Sequence, residues 1–240
     1  TRRSSDLLKS SGTVTSFTTW GTNTDGTGTA PVNFTGAHTW HFTNRTSVNM
    51  TTAGFGTSST AIVVIESAIS VTVASLGTLG SASINIASGG SLTLTRNITY
   101  NLNSLDANST VVYNNVNLPV YAENYGHLTI AASTTLSGTA DINVNGTLTI
   151  NSGRTLTMDG GGAVLYISSI AGTGSLTGNS TALLSFSLGA TGNNGTVNFT
   201  SGSQLLQVLS LDYTSTSSYI SLGTRSEERR VGKECLRLCR

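Results

Sequence analysis

Charge is scarce in this sequence. Only 10% of its 240 residues are charged and the formal net charge is +1. No basic stripe is available to neutralise a phosphate backbone, so nucleic acid is excluded as an expected partner. Proline occurs twice and cysteine twice, and Cys235 and Cys239 both lie at the extreme C-terminus. The residues before them hold no thiol, and a disulfide framework is excluded there. Long apolar runs are missing as well. The strongest, Ala61 to Ile65, stops at Glu66, far short of a membrane-spanning helix. Arg2 and Arg3 are followed by no apolar stretch of signal-peptide type, so any export signal is expected to lie outside this segment.

What replaces charge is threonine, serine, asparagine and glycine. Forty residues are Thr and 27 are Gly. Threonine is β-branched and favours strands while offering a hydroxyl to solvent or to a neighbouring strand. Glycine and asparagine supply corners that need unusual backbone angles. Helical periodicity is absent, and period-two alternation stands in its place. Apolar residues pair at Ile84 and Ile86, Leu92 and Leu94, Leu128 and Ile130, Ile142 and Val144, Leu148 and Ile150, and Leu156 and Met158.

The connections between these pairs are short. Asn145-Gly146 reads locally as a two-residue hairpin turn, but strands of about three residues make a weak isolated hairpin. Such strands gain a core by stacking on equivalents in the next coil. An internal similarity supports winding: Ile86 to Leu94 (Ile-Ala-Ser-Gly-Gly-Ser-Leu-Thr-Leu) returns as Ile150 to Met158, with a looser copy from Phe199 to Leu205. The first offset, from Ile86 to Ile150, is 64 residues, and the second, from Ile150 to Phe199, is 49. They fit irregular coils of roughly 16 to 25 residues. The expected fold is an all-β, single-stranded parallel β-solenoid of about nine coils, roughly 40 Å long. A β-sandwich is the alternative. The apolar pairs above, with Val197 and Phe199, are expected to face inward; Thr93, Thr129, Asn143, Thr149 and Thr157 are expected to face outward.

Four segments follow: residues 1–10 as a disordered segment or fragment start, 11–60 as first coils and a cap carrying Trp20, Phe34, Trp40, Phe42 and Phe55, 61–224 as the solenoid body, and 225–240 as a non-native-looking charged tail. The tail holds six of the 12 basic residues. Within the body, residues 114–124 around Pro119 read as a projecting loop.

The sequence offers no catalytic, cofactor or metal site. His38 and His41 lack a matching ligand cluster for zinc, and His127 precedes an apolar strand residue. The acids before residue 225 are Asp6, Asp25, Glu66, Asp106, Glu123, Asp141, Asp159 and Asp212. Glycosidase chemistry needs two carboxylates about 5 to 10 Å apart. None of these acids forms a close pair in sequence, but acids one coil apart can meet in space: Asp141 and Asp159, 18 positions apart, stack if that coil has this length. The Gly-rich residues 21–29 lack the lysine and helix of a phosphate loop, and no serine elbow is present. Nine glycosylation sequons occur, beginning at Asn33, Asn44, Asn49, Asn97, Asn108, Asn145, Asn179, Asn194 and Asn198.

Three segments carry a resemblance. Trp20 to Gly28 with Asn33-Phe34-Thr35, Leu105 to Tyr113, and Tyr125 to Ile130 followed by Val144 to Ile150 resemble elements of repetitive β-solenoid regions in large secreted surface proteins of Bacteroidetes-type bacteria. The likeness covers about residues 12 to 165. It implies export to the cell surface or medium and supplies no catalytic residues. Arg225 to Cys235 resembles a read-through ending from assembled DNA. The resulting expectation is a structural or adhesive segment of a secreted or cell-surface protein, meeting carbohydrate or another surface protein through outward Thr/Asn ladders and loop 114–124. A carbohydrate-active β-helix enzyme or glycan-binding module is the alternative.

Overall fold

Alternation of buried with half-buried or exposed residues runs through most strands up to β17 in the computed structural model, which describes residues 5–34, 37–50, 60–74, 82–96, 101–115, 120, 123–136, 141–158, 163–178, 182–188, 195–196, 206–213 and 220–221. In chain order the strands are β1 (Ser5–Leu8), β2 (Trp20–Gly21), β3 (Thr39–Phe42), β4 (Ser47–Met50), β5 (Ile62–Ile65), β6 (Ser70–Val73), β7 (Ser83–Ile86), β8 (Ser91–Leu94), β9 (Asn101–Leu105), β10 (Thr110–Tyr113), β11 (Asn124–Tyr125), β12 (His127–Ile130), β13 (Thr134–Thr135), β14 (Ile142–Ile150), β15 (Thr155–Met158), β16 (Val164–Ala171), β17 (Ser175–Gly178), β18 (Ala182–Leu188), β19 (Gly195–Thr196), β20 (Leu206–Tyr213) and β21 (Ile220–Ser221). A 3-10 turn, Phe17–Thr19, precedes β2.

Pairing skips alternate strands, as winding requires. A first sheet has the order β2-β1-β3-β5-β7-β9, and a second runs β4-β6-β8-β10-β12-β14-β16-β18-β20 with β11 beside β14. A third sheet joins β13, β15 and β17. Among the described residues every strand pairing is parallel except β1 with β2. The chain is therefore an all-β, single-stranded parallel β-solenoid with short irregular coils. The sandwich and hairpin alternatives fall with the partners of β14: Leu148 pairs with Leu128 and Ile170, whereas Leu156 pairs with Thr134 and Leu176. No direct pair joins the two segments flanking Asn151 to Arg154.

Coil length varies inside the expected range. Thr110 pairs with His127, 17 positions on, and Ser47 pairs with Ser70, 23 positions on. Leu183 pairs with Val208, 25 positions on. The first coil is longer, because Ser5 pairs with Thr39, 34 positions on. That extra length carries an aromatic cluster at the edge of the first sheet. Trp20, buried, meets Trp40 and Phe42 edge-on at 5.2 and 5.4 Å between ring centres, and its indole N–H donates to the Val14 carbonyl at 2.7 Å.

The core is a set of columns. Met50, Val73, Leu94, Tyr113, Ile130 and Ile150 stack in register along the second sheet, and all are buried. All the expected inward residues within the described segments are buried; Val197 and Phe199 lie outside them. The expected outward residues Thr93, Thr129, Asn143, Thr149 and Thr157 take the opposite side but are half-buried, since each is flanked by a neighbour about 4.8 Å above and below.

The internal similarity has a different meaning from a full-coil repeat. Ile86 ends β7 in the first sheet and Leu92 opens into the second, whereas Ile150 ends β14 in the second and Leu156 opens into the third. Leu94, rather than Ile86, shares a column with Ile150. The repeated element is a corner, used at two different vertices of the coil. Its chemistry explains the reuse: Gly89 and Gly153 sit at φ 73° and 69°, in the left-handed region where a side chain is disfavoured. The matching turns close through Gly90 N–H to the Ala87 carbonyl and Arg154 N–H to the Asn151 carbonyl.

Candidate functional surface

Polar side chains in a solenoid have two places to go. At corners they tie one coil to the next, and on strand faces they form outward columns. The corner role takes many of the residues that sequence reading singles out. Asn44 donates to the carbonyls of Leu8 and Thr24 at 2.8 and 2.9 Å, Arg45 Nε donates to the Lys9 carbonyl, and Asn115 donates to the Thr95 carbonyl. The Gly-rich loop folds on itself and on β1. Asp25 accepts from the Thr27 N–H and hydroxyl at 2.9 and 2.6 Å, which holds its carboxyl below the usual range. A side chain at Gly26, with φ 80°, would meet the backbone of Lys9.

The carboxylates are distributed along the coils. Asp6, only 2% exposed, lies 2.8 Å from His38 Nδ1, and the His38 ring stacks on Trp40. Glu66 lies 2.7 Å from His41 Nδ1. The partners are 32 and 25 residues apart in sequence, so the pairs are invisible until coil length is known. Asp106 accepts from the Asn108 N–H, and Asp141 from the Val164 N–H. The stacking of Asp141 on Asp159 concerns a residue outside those described, as do the two cysteines and the charged tail; for Asp212 only the backbone, in β20, is described. Among the described residues, no group of three His, Cys, Asp or Glu is placed to hold a metal ion.

Glu123 is the exception to this corner role. It is half-buried beside β11, and desolvation raises its carboxyl above the ordinary value. By strand alternation it shares the side of Tyr125, whose hydroxyl is pushed well up by burial and by Tyr113. The two tyrosine hydroxyls are 2.9 Å apart. This polar pair was not legible in the sequence, where Tyr113 and Tyr125 read only as strand residues flanking a loop.

Of loop 114–124, residues 114, 115, 120, 123 and 124 are described. Val120 is fully buried and forms a parallel bridge with Leu136, and its N–H donates to the Thr135 carbonyl at 2.8 Å. The Glu123 carbonyl accepts from Asn143 N–H. The excursion is thus pinned into the scaffold at Val120, whose buried side chain and isolated bridge to Leu136 lie beside β13. Deleting the whole segment would remove core.

The outward faces differ from one another. On the first sheet, Asn103 donates to Asn85 at 2.9 Å and Asn101 to Ser83 at 3.2 Å; at the β11–β14 pair of the second sheet, Asn143 donates to Asn124 at 2.9 Å. On the third, Thr177 donates to Thr157 at 3.2 Å. The second sheet carries two outward columns. One reads Ser47, Ser70, Ser91, Thr110 and His127, and the other Asn49, Thr72, Thr93, Val112, Thr129 and Thr149. Ser91 donates to Ser70 at 2.9 Å. The hydroxyls of Thr72, Thr93, Thr110, Thr129 and Thr149 have no protein partner among the described residues. His127 accepts the Thr147 N–H at Nδ1, 3.0 Å away, which places the proton of the neutral ring on Nε2.

Compared with protein-family models, with curated proteins and with solved structures, the chain has no match. No helix among the described residues is long and apolar enough to cross a membrane.

Proposed function

We propose that this chain is a structural or adhesive segment of a secreted or cell-surface protein. The observation that carries the reading is a division of labour among polar groups. Five of the six described carboxylates, those of Asp6, Asp25, Glu66, Asp106 and Asp141, are bound into turns, strand ends or histidine pairs. The threonine hydroxyls of the second sheet are left to the outside. A scaffold that holds many equivalent weak contacts in fixed register suits attachment, where such contacts add. The resemblance to exported repetitive solenoids supports an extracellular setting.

The test is retention of the purified chain on glycan arrays, insoluble polysaccharides and bacterial cell surfaces. Retention that is lost when the second-sheet columns carry lysine is the expected result. Absence of retention on every surface ends the adhesive reading.

One observation favours a carbohydrate-active enzyme as the second reading. Glu123 is a carboxyl raised by desolvation next to buried tyrosines, and a glycosidase acid needs such a group. A polysaccharide degradation screen decides it: product release abolished by Glu123→Gln would replace the first reading with this one.

A further inference from the structure

We infer that the outward face of the second sheet binds ice. The inference rests on the adhesive reading and names its surface. Its starting point is the pair of hydroxyl columns that runs through β6, β8, β10, β12 and β14. Neighbouring coils repeat about every 4.8 Å, and residues two apart within one strand lie about 6.6 Å apart. Ser91 with Thr93, and Thr147 with Thr149, therefore place hydroxyls on a two-dimensional grid. Both repeats fall close to the oxygen repeats on a prism face of hexagonal ice.

Three further features fit a lattice of water better than a sugar. The two columns contain no Asp, Glu, Lys or Arg, so no strongly hydrated ion disturbs water ordered over the face. Threonine supplies a hydroxyl that stands in for a lattice oxygen, and beside it a methyl that fills the hollow between oxygens. Its χ1 is stiff, and the half-buried packing of Thr93, Thr129 and Thr149 between coils restricts it further, so little entropy is lost on docking. Sugar recognition draws on aromatic faces and carboxylates, and the described outward columns of this sheet hold neither, His127 aside. Val112 and His127 each interrupt one column at one coil, and the His127 ring is held by the Thr147 N–H.

The experiment is ice-crystal morphology and thermal hysteresis in nanolitre droplets of the purified chain. Faceted crystals and measurable hysteresis are expected, both lost in the double variant Thr93→Lys, Thr129→Lys and both kept in Ser104→Lys. Ser104 is an exposed outward residue of the first sheet, level with Asn85. Circular dichroism reports folding of each variant. If the lysine pair unfolds, Thr93→Val with Thr129→Val removes the hydroxyls at nearly constant volume and is expected to weaken hysteresis. Unfaceted crystals with the unaltered chain, or hysteresis indifferent to these substitutions, overturns the inference. Sedimentation with crystalline cellulose and chitin separates the two levels of argument. Binding there without ice shaping overturns ice and keeps attachment, and failure on ice, polysaccharide, glycan and cell surface alike removes both.

Discussion

The hydroxyls of Tyr113 and Tyr125 meet at 2.9 Å inside the solenoid, with the rings nearly perpendicular at 77°. Both residues are buried, and they are brought together across a coil corner from β10 and β11. Removing either hydroxyl deletes the same bond, so Tyr113→Phe and Tyr125→Phe are each expected to cost about 1–2 kcal/mol. The double variant should cost clearly less than the two together. Urea unfolding of all four proteins measures the coupling; strictly additive losses would show that the two hydroxyls act independently.

The corner between β5 and β6 holds Ala68 at φ 60°, where the preceding turn closes from Ile69 N–H to the Glu66 carbonyl. The equivalent position in the next coil is Gly89, at φ 73°. Ala68→Gly removes the steric penalty of a β-carbon in this region and is expected to stabilise the chain by about 0.5–1 kcal/mol. Gly172→Ala should do the opposite more strongly, because its φ is 85° and the new carbon would collide with the Ile150 carbonyl. Thermal melts of the two variants, moving in opposite directions, check the assignment.

Neighbouring residues of β12 separate inward from outward chemistry. Leu128 is fully buried between Val111 and Leu148, so Leu128→Ala is expected to cost about 2–5 kcal/mol. Thr129→Val on the outward side should change stability by less than about 0.5 kcal/mol. Comparable losses at the two positions, read by denaturant midpoints, would contradict the assigned faces.

Burial raises the Glu123 carboxyl, so the folded chain holds this proton more tightly than the unfolded chain does. The group therefore opposes folding above its folded pKa, and that opposition disappears as pH falls through it. Glu123→Gln is expected to raise the melting temperature slightly at neutral pH and to make no difference at a pH near or below the ordinary 4.5. A gain that persists unchanged in acid would point to packing as its source.

The sequence made the winding legible because the period-two pairs are so short. Ile84 with Ile86, and Leu156 with Met158, cannot bury themselves and so imply coil-to-coil stacking. It did not reveal which residues meet around the coil. The Ser-Gly corner repeats at different vertices, so the internal similarity alone does not show that Leu94, rather than Ile86, shares a column with Ile150. For the same reason Asp6 with His38, and Glu66 with His41, were unseen: their contacts depend on an uneven coil length. Loop 114–124 misled in another way. Residues 114–124 around Pro119 read as a projecting loop, whereas Val120 is buried and bridges Leu136; residues 116–119 and 121–122 lie outside the described ones. The outward positions of Thr93, Thr129 and Thr149 are legible in the sequence, but that their hydroxyls lack a partner among the described residues, while Asn103 bonds Asn85 and Thr177 bonds Thr157, is visible only in three dimensions.

Pairs 17 and 25 positions apart keep the same columns aligned, so most spare length is taken up between strands, with single register shifts inside β9, β14 and β20. Such a scaffold tolerates growth at its vertices: residues added there leave every inward position inward. A single deletion inside β12 would have the opposite result, turning Leu128 and Ile130 toward water and threonine toward the interior. Variation in relatives of this chain should therefore accumulate at the vertices, which are free to acquire new decoration while the wound core stays unchanged.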